Sequence, residues 1–536
     1  MLDLLRHCAG VGRFFWKVRT ESFKMEPPIN NEFLWGVASS GYQCEGGYNG
    51  PGQPQNNWTD VEARGRVMRT GLAADFWNRY QEDFTHCHAM GLNAFRLSIE
   101  WARVQPSTSA KRSEPPAFDF GVLDGYADRL AACRRQGLEP VITLQHFTHP
   151  AWLGVDAWLD DRTPALFEQF VSTTVAHINR RLMETHGQLP LHWFVTLNEP
   201  NMLVINTYLN RHFPGGGHRG MGVAVAAYNR LLSAHVRAYN AIHDLFNGEG
   251  WTPPQVTMNT FCSDVYWSEK MLLDLLCVRE RGVRDAELKG YLREESNRLH
   301  HALLRAALPF QTDPFVWLGR LFHILVNLLA PKHAVAETFG YFLDTLAHSK
   351  RYRVLDYIGL DYYDPFTGHL FRPPSFVDLE FRRESLRGHL MDSLSRKWWD
   401  WHVLPEGMHF FCKYYAKEFQ RGILIAENGM ALRRKFDNSI AHPRRDRLTR
   451  SEFLKAHVAE VRRLVAEDVP MLGYLHWSIT DNYEWGSFTP RFGLFTVDYA
   501  NHAERLPVDH LGDRPSETYA RLIAQSQVGG SEARLR

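Results

Sequence analysis

Eight short apolar runs separated by helical patterns constrain this chain more than any other feature. They are FLWGVASS (33–40), AFRLSIEW (94–101), EPVITLQHF (139–147), HWFVTLNEP (192–200), PQVTMNTF (254–261), VLDYIGLDYY (354–363), GILIAENGM (422–430) and PMLGYLHWS (470–478). Most are continuous rather than alternating, the pattern of strands buried on both faces of a parallel sheet. Helical periodicity fills the gaps. Phe76, Tyr80, Phe84 and Cys87 fall at i, i+4, i+8 and i+11 within residues 74–90, one face of a helix. In 449–468, Thr449 and Glu452 have the spacing of a capping box, followed by the stripe Leu454, Val458, Val461 and Val465. Strands alternating with helices in this way predict an α/β fold, a single (β/α)8 or TIM barrel. The 536 residues, 44% hydrophobic, suit one long barrel domain.

Barrel sites sit at the C-terminal ends of the strands. There the eight runs deliver polar or aromatic groups: Gln43, Arg96, His146, Asn198 with Glu199, Asn259, Tyr363, Glu427 and Trp477. Carboxylates are seldom fully buried without a partner, so Glu199 and Glu427 at the ends of apolar runs call for a chemical reason. Two glutamates facing each other across a narrow barrel can cleave a glycosidic bond. One donates a proton to the leaving oxygen, and the other attacks the anomeric carbon or activates water. Separations of about 5–5.5 Å give retention, and about 6.5–9.5 Å give inversion. A cation and a phenol beside a carboxylate favour its charged form. Arg96 and Tyr363 are the candidates for that duty near Glu427, which makes Glu427 the expected nucleophile and Glu199 the expected acid/base. Asn198 can donate an amide N–H to a sugar hydroxyl.

A net charge of +1 and dispersed Lys and Arg give no electrostatic footprint for nucleic acid. The seven cysteines are scattered and odd in number, without a CxxC pair, which favours a reducing, cytoplasmic setting. The N-terminal stretch MLDLLRHCAGVGRFFWKVRTESFKM has Asp3, Arg6 and His7 within its apolar part and does not read as a secretory signal. Gly215-Gly216-Gly217 lacks the GK[ST] ending of a phosphate loop and reads as a loop near the pocket. His86, His88, His146 and His149 do not have convincing metal-ligand spacing.

The chain resembles glycoside hydrolase family 1, the retaining β-glucosidase family. The resemblance rests on FLWGVASSGYQCEGG (33–47), TLNEP (196–200), ENGM (427–430) and WSITDNYEWGSFTPRFGL (477–494). It extends from about Phe33 to about Asp498 with one large interruption. It implies a (β/α)8 barrel, no metal, no cofactor and a covalent glycosyl-enzyme intermediate. It also implies that Gln43, His146, Asn198, Glu484 and Trp485 hold the glycone, with Trp477 as a stacking wall. The chain departs from the family pattern at Ala426 (usually Thr), at Asp361 (usually Asn) and at Asp156-Ala157-Trp158 (usually Gly-Gly-Trp). The phosphate-binding Ser and Lys-x-Tyr element of 6-phospho-glycosidases is missing from GSFTPRF, so an unphosphorylated glucose, galactose or fucose glycone is expected. Two other readings use the same fold: a transglycosylase with an alcohol or glycolipid acceptor, and a non-catalytic sugar-binding barrel. Retention of both glutamates argues against the latter.

The expected organisation is an N-terminal extension (1–27), the barrel (28–526) and a disordered tail (527–536). A helical insertion (265–350) lies between the fifth and sixth strands. These are separated by roughly ninety residues, far more than a βα connection needs. Helical patterns occupy 271–282, 286–308 and 314–330. In the last, Arg320, His323 and Asn327 form a polar stripe amid large apolar residues. It reads as a satellite core packed on the barrel or, more sharply, as an apolar lid. Such a lid would make peripheral contact with a membrane or a glycolipid and favour apolar aglycones.

Overall fold

Each of the eight apolar runs forms a strand, and together they close a barrel. The structure is a computed structural model that describes residues 33–107, 114–306, 308, 325–326, 337–366, 401–438, 441–444 and 446–533. The strands are Leu34–Ala38, Ala94–Ser98, Glu139–Thr143, Trp193–Asn198, Gln255–Phe261, Ile358–Tyr362, Ile423–Asn428 and Met471–Trp477. Each pairs in parallel with its sequence neighbours, and the first pairs with the eighth. Closure leaves no edge, and helices cover the outer face. At Gly36 the wall admits no side chain, because a Cβ there would lie 2.4 Å from the Ala94 carbonyl oxygen.

The helix Phe76–Ala89 buries Phe76, Phe84 and Cys87 as its periodicity requires. Helix Arg450–Ala466 opens on a full capping box. Thr449 Oγ1 accepts from Glu452 N at 3.2 Å, and Glu452 Oε2 accepts from Thr449 N at 2.8 Å. Leu454, Val458 and Val461 are buried, but Val465 is exposed, because the covered face continues through Leu464, three residues after Val461, rather than through Val465. Two contacts tie the C-terminal region back to the start of the barrel. Arg505 grips Asp83 through two 2.9 Å bonds, and Tyr519 Oη donates to the Gly36 carbonyl at 2.9 Å.

Between the fifth and sixth strands lie helices Lys270–Leu276, Leu288–Arg305 and Gly340–Ala347. Lys270 is fully buried between Asp274 (2.8 Å) and Glu295 (3.1 Å), which joins the first two of these helices. The N-terminal extension and all of 314–330 except Leu325 and Val326 lie outside the described residues. The final helix, Pro515–Ala533, runs into the segment expected to be a disordered tail. Gly529 and Gly530 each weaken that helix by only about 1 kcal/mol, too little to stop it there. No helix among the described residues is long and apolar enough to cross a membrane. The six described cysteines are buried thiols.

Candidate active site

Strand register sets the site. In parallel neighbours, paired residues present their side chains to the same face. Asn198 pairs with Asn259, and Asp361 with Glu427, each pairing following a register shift near the strand end. These side chains meet in one layer with Arg96 at the C-terminal end of the barrel. Glu199 stands one residue beyond its strand in a left-handed conformation, φ 39°. Pro200 then begins helix Pro200–Val204, where its fixed φ and missing N–H cost nothing. The turn aims Glu199 back into the barrel mouth. After the seventh strand, Gly429 lets the chain pass the Trp477 carbonyl oxygen, which would lie 2.1 Å from a Cβ.

Arg96 organises the layer and is wholly buried. Its Nη1 donates to Glu427 Oε1 at 2.8 Å and to the Ala426 carbonyl at 3.1 Å. Its Nε donates to Thr143 Oγ1 at 2.9 Å, and its Nη2 to Asn198 Oδ1. Tyr363 Oη donates to the other oxygen of Glu427 at 2.8 Å. Asn259 Nδ2 donates to Asn198 Oδ1 at 2.9 Å and also to Asp361 Oδ2. With its carbonyl thus held, Asn198 turns its amide toward His146 Nε2, 3.2 Å away. Burial and the nearby Arg96 charge keep His146 neutral by holding its pKa well below the usual imidazole range.

The two glutamates sit in different electrostatic surroundings. Burial raises Glu427, but Arg96 and Tyr363 oppose that rise by stabilising its anion. Burial raises Glu199 well above the ordinary carboxylate range, and Asp361 and Glu427 push it further. These surroundings favour the proton on Glu199 and the charge on Glu427. One carboxylate oxygen from each of Glu199, Asp361 and Glu427 lies within 4.8 Å of the others.

A second layer forms the glycone end. Trp477 Nε1 donates to Glu484 Oε1 at 3.2 Å, and Gln43 lies beside the same carboxyl. Burial pushes Glu484 up to about 8 against those two donors. The His146 ring is stacked with both Trp477 and Trp485, at centroid distances of 5.6 and 5.9 Å. Trp485 also meets Trp58, Phe147 and Phe213. All ten residues expected at the site thus converge. Asp361, as a third carboxylate, and the aromatic group of Trp58, Phe147 and Phe213 were not among them. Phe213 is brought in by the triple-glycine loop, whose Gly216 N–H is held by Asp156 Oδ1 at 2.9 Å. His86 instead stacks on Phe495, and His88 and His149 each bond a backbone carbonyl.

A closed parallel barrel with two buried glutamates facing each other across its mouth, walled by indoles, is the catalytic apparatus of an O-glycosyl hydrolase. The family model for glycosyl hydrolase family 1 matches residues 25–259 and 343–510. Beta-glucosidase A of Thermotoga maritima is 27% identical over 479 residues, covering 87% of this chain and 93% of that protein. A beta-galactosidase of Sulfolobus acidocaldarius is 24% identical over 520 residues, covering 87% and 90%. A solved family 1 b-glucosidase from Thermotoga maritima superposes with a TM-score of 0.63 at 21% identity, covering 93% of this chain and 99% of that one. The chain belongs to glycosyl hydrolase family 1.

Proposed function

We propose that this enzyme is a retaining β-glycosidase acting on unphosphorylated β-glucosides, β-galactosides or β-fucosides by double displacement. The observation that carries the reading is the separation within 4.8 Å of a Glu199 oxygen and a Glu427 oxygen. It suits the short carboxyl separation of a retaining site, about 5–5.5 Å, better than the wider gap that an inverting site needs for its water. In the first step Glu427 attacks the anomeric carbon while Glu199 passes its proton to the departing oxygen. The C1–O bond to the aglycone breaks as the bond to Glu427 forms. In the second step Glu199, now ionised, takes a proton from water. That water attacks C1 and releases Glu427.

The glycone preference rests on Gln43 and Glu484, which offer neutral or negative acceptors and an amide to sugar hydroxyls. A phosphate would need a cation. Arg491, in the same segment, is committed to Asp481 at 3.3 Å and to the Val497 carbonyl at 3.1 Å. The relatives named beta-glucosidase and beta-galactosidase support the same substrate class. Proton NMR of the first product from an aryl β-glucoside tests the stereochemistry. The β-anomer should appear first, and initial α-anomer would overturn the reading. A 2-deoxy-2-fluoro glucoside should label the peptide that contains Glu427.

A further inference from the structure

Asp361 ends the sixth strand, fully buried, beside both catalytic candidates. Asn259 Nδ2 donates to its Oδ2, and Arg96 Nη1 lies 3.7 Å from its Oδ1. Burial and the Glu427 charge raise the Asp361 carboxyl well above its ordinary range, and both contacts oppose that rise by favouring the anion, as does a hydrogen bond from Glu199. Oδ1 takes no hydrogen bond from an N–H among the described residues, so it remains open to a carboxylic O–H. The Glu199 carboxyl is within hydrogen-bonding contact of Asp361. The family pattern has a neutral Asn here, which could accept a hydrogen bond from Glu199 but could not carry this charge.

We propose that Asp361 is a positioning residue that holds the acid/base proton on Glu199 through a shared carboxyl–carboxylate hydrogen bond. The inference rests on Glu199 being the acid/base. It accounts for charge through both steps. Before the first, Glu427 and Asp361 are anions, Arg96 is a cation and Glu199 is neutral. After it, Glu427 is an uncharged ester and Glu199 is an anion next to Asp361, so the cluster keeps the same net charge. The Asp361 charge that held the proton on Glu199 then makes Glu199 a stronger base toward the incoming water.

The other groups facing Glu199 do not supply this function. From the second strand comes only the cation Arg96. Beyond the fifth and sixth strands, Cys262 and Tyr363 are kept uncharged by burial, which raises both well above their ordinary values. From the third strand His146 is neutral. Glu427, on the seventh, loses its charge in the intermediate. The positive charge among the three carboxylates belongs to Arg96, so their arrangement calls for a shared proton rather than a bound cation.

The test compares pH profiles of kcat/KM for 4-nitrophenyl β-glucoside in wild type, Glu199→Gln and Asp361→Asn. The last is isosteric and retains a polar group for Asn259. Loss of the basic limb in Glu199→Gln assigns that limb to Glu199. In Asp361→Asn the limb should move down by about 1–3 pH units, with the acidic plateau little changed. A uniform fall at every pH, with the limb unmoved, would mean a structural role and overturn the proposal. A basic limb that persists in Glu199→Gln would overturn the acid/base assignment itself, and the proposal with it. If Asp361→Asn does not fold, wild type alone decides. Its protonated-carboxyl infrared band, identified by its absence in Glu199→Gln, should persist above neutral pH. Titration of that band in the ordinary glutamate range would refute the shared proton.

Discussion

Arg96 Nη1 lies 2.8 Å from Glu427 Oε1 with both side chains out of solvent, so each is the other's compensation for a buried charge. Removing one partner of such a pair is costly because the remaining charge is stranded. Arg96→Lys keeps the charge but cannot reproduce four directed bonds. We expect kcat/KM to fall about 10–100-fold, the equivalent of one charged hydrogen bond of roughly 1.5–3 kcal/mol. Since Glu427 must be ionised to attack, a weaker partner lets its pKa rise, and the acidic limb of the pH profile should move upward. Activity at pH 5 would then suffer more than at pH 7. An acidic limb that stays in place would show that Arg96 does not hold the nucleophile's charge.

The two glutamates should also separate by chemical rescue. Glu427→Ala leaves a space beneath the anomeric carbon, so azide should restore turnover and give the inverted glycosyl azide. Glu199→Ala removes the proton donor but not the nucleophile. It should still cleave 2,4-dinitrophenyl glucoside, and azide should then give the retained product. NMR of the two azides decides the matter, and the same anomer from both variants would contradict the assignment.

At the far end of the pocket, Glu484 receives Trp477 Nε1–H and sits beside Gln43. Sugar hydroxyls can replace the water this carboxyl loses on burial. Donation by those hydroxyls draws the carboxyl back toward its charged form, so Glu484→Ala should cost about 10–100-fold in kcat/KM, the worth of a hydrogen bond to a charged group. Activity on glucose 6-phosphate glycosides should remain below that on plain glucosides. Preference for the phosphorylated substrate in the unaltered enzyme would reject the neutral-glycone reading.

What the sequence disclosed and what it did not follow from the range of each signal. Strand identity is local, and the apolar runs ending in Glu199 and Glu427 declared both their burial and their place at the rim. The Thr449–Glu452 cap is local as well. Val465 was misleading because a stripe can continue by three or four residues, and here the buried face steps from Val461 to Leu464. Asp361 stood in the sequence as a departure from a family pattern. Its pairing with Glu199 depends on the register shift between Leu360 and Asp361, and no single strand encodes that. Phe213 and Trp58 enter the pocket wall from loops distant in sequence, so neither carries a periodic signature.

Burial of His235 makes a prediction about stability rather than catalysis. The ring is fully buried, and Nε2 donates to the Val354 carbonyl at 2.7 Å while Nδ1 faces Thr196 Oγ1 at 2.7 Å. A neutral ring satisfies both partners when Thr196 donates to Nδ1. A second proton would turn that hydroxyl toward the Thr257 carbonyl, at 3.2 Å, and leave a charge in the core. Burial accordingly lowers the His235 pKa to about 4. In the unfolded chain it is about 6.5. Between these values the unfolded state binds more protons, so stability falls as pH drops from about 6.5 toward 4, by roughly 3 kcal/mol for this group. Glu100 and Glu269 act in the opposite sense, because burial raises them to about 8 and about 7, and they favour the folded state less as pH rises. His235→Gln can keep a donor for Val354 and an acceptor for Thr196 without titrating in this range. Its melting temperature should therefore decline less steeply than that of wild type between pH 6.5 and 4. Parallel curves for the two proteins would show that His235 is not the group protonated on acid unfolding.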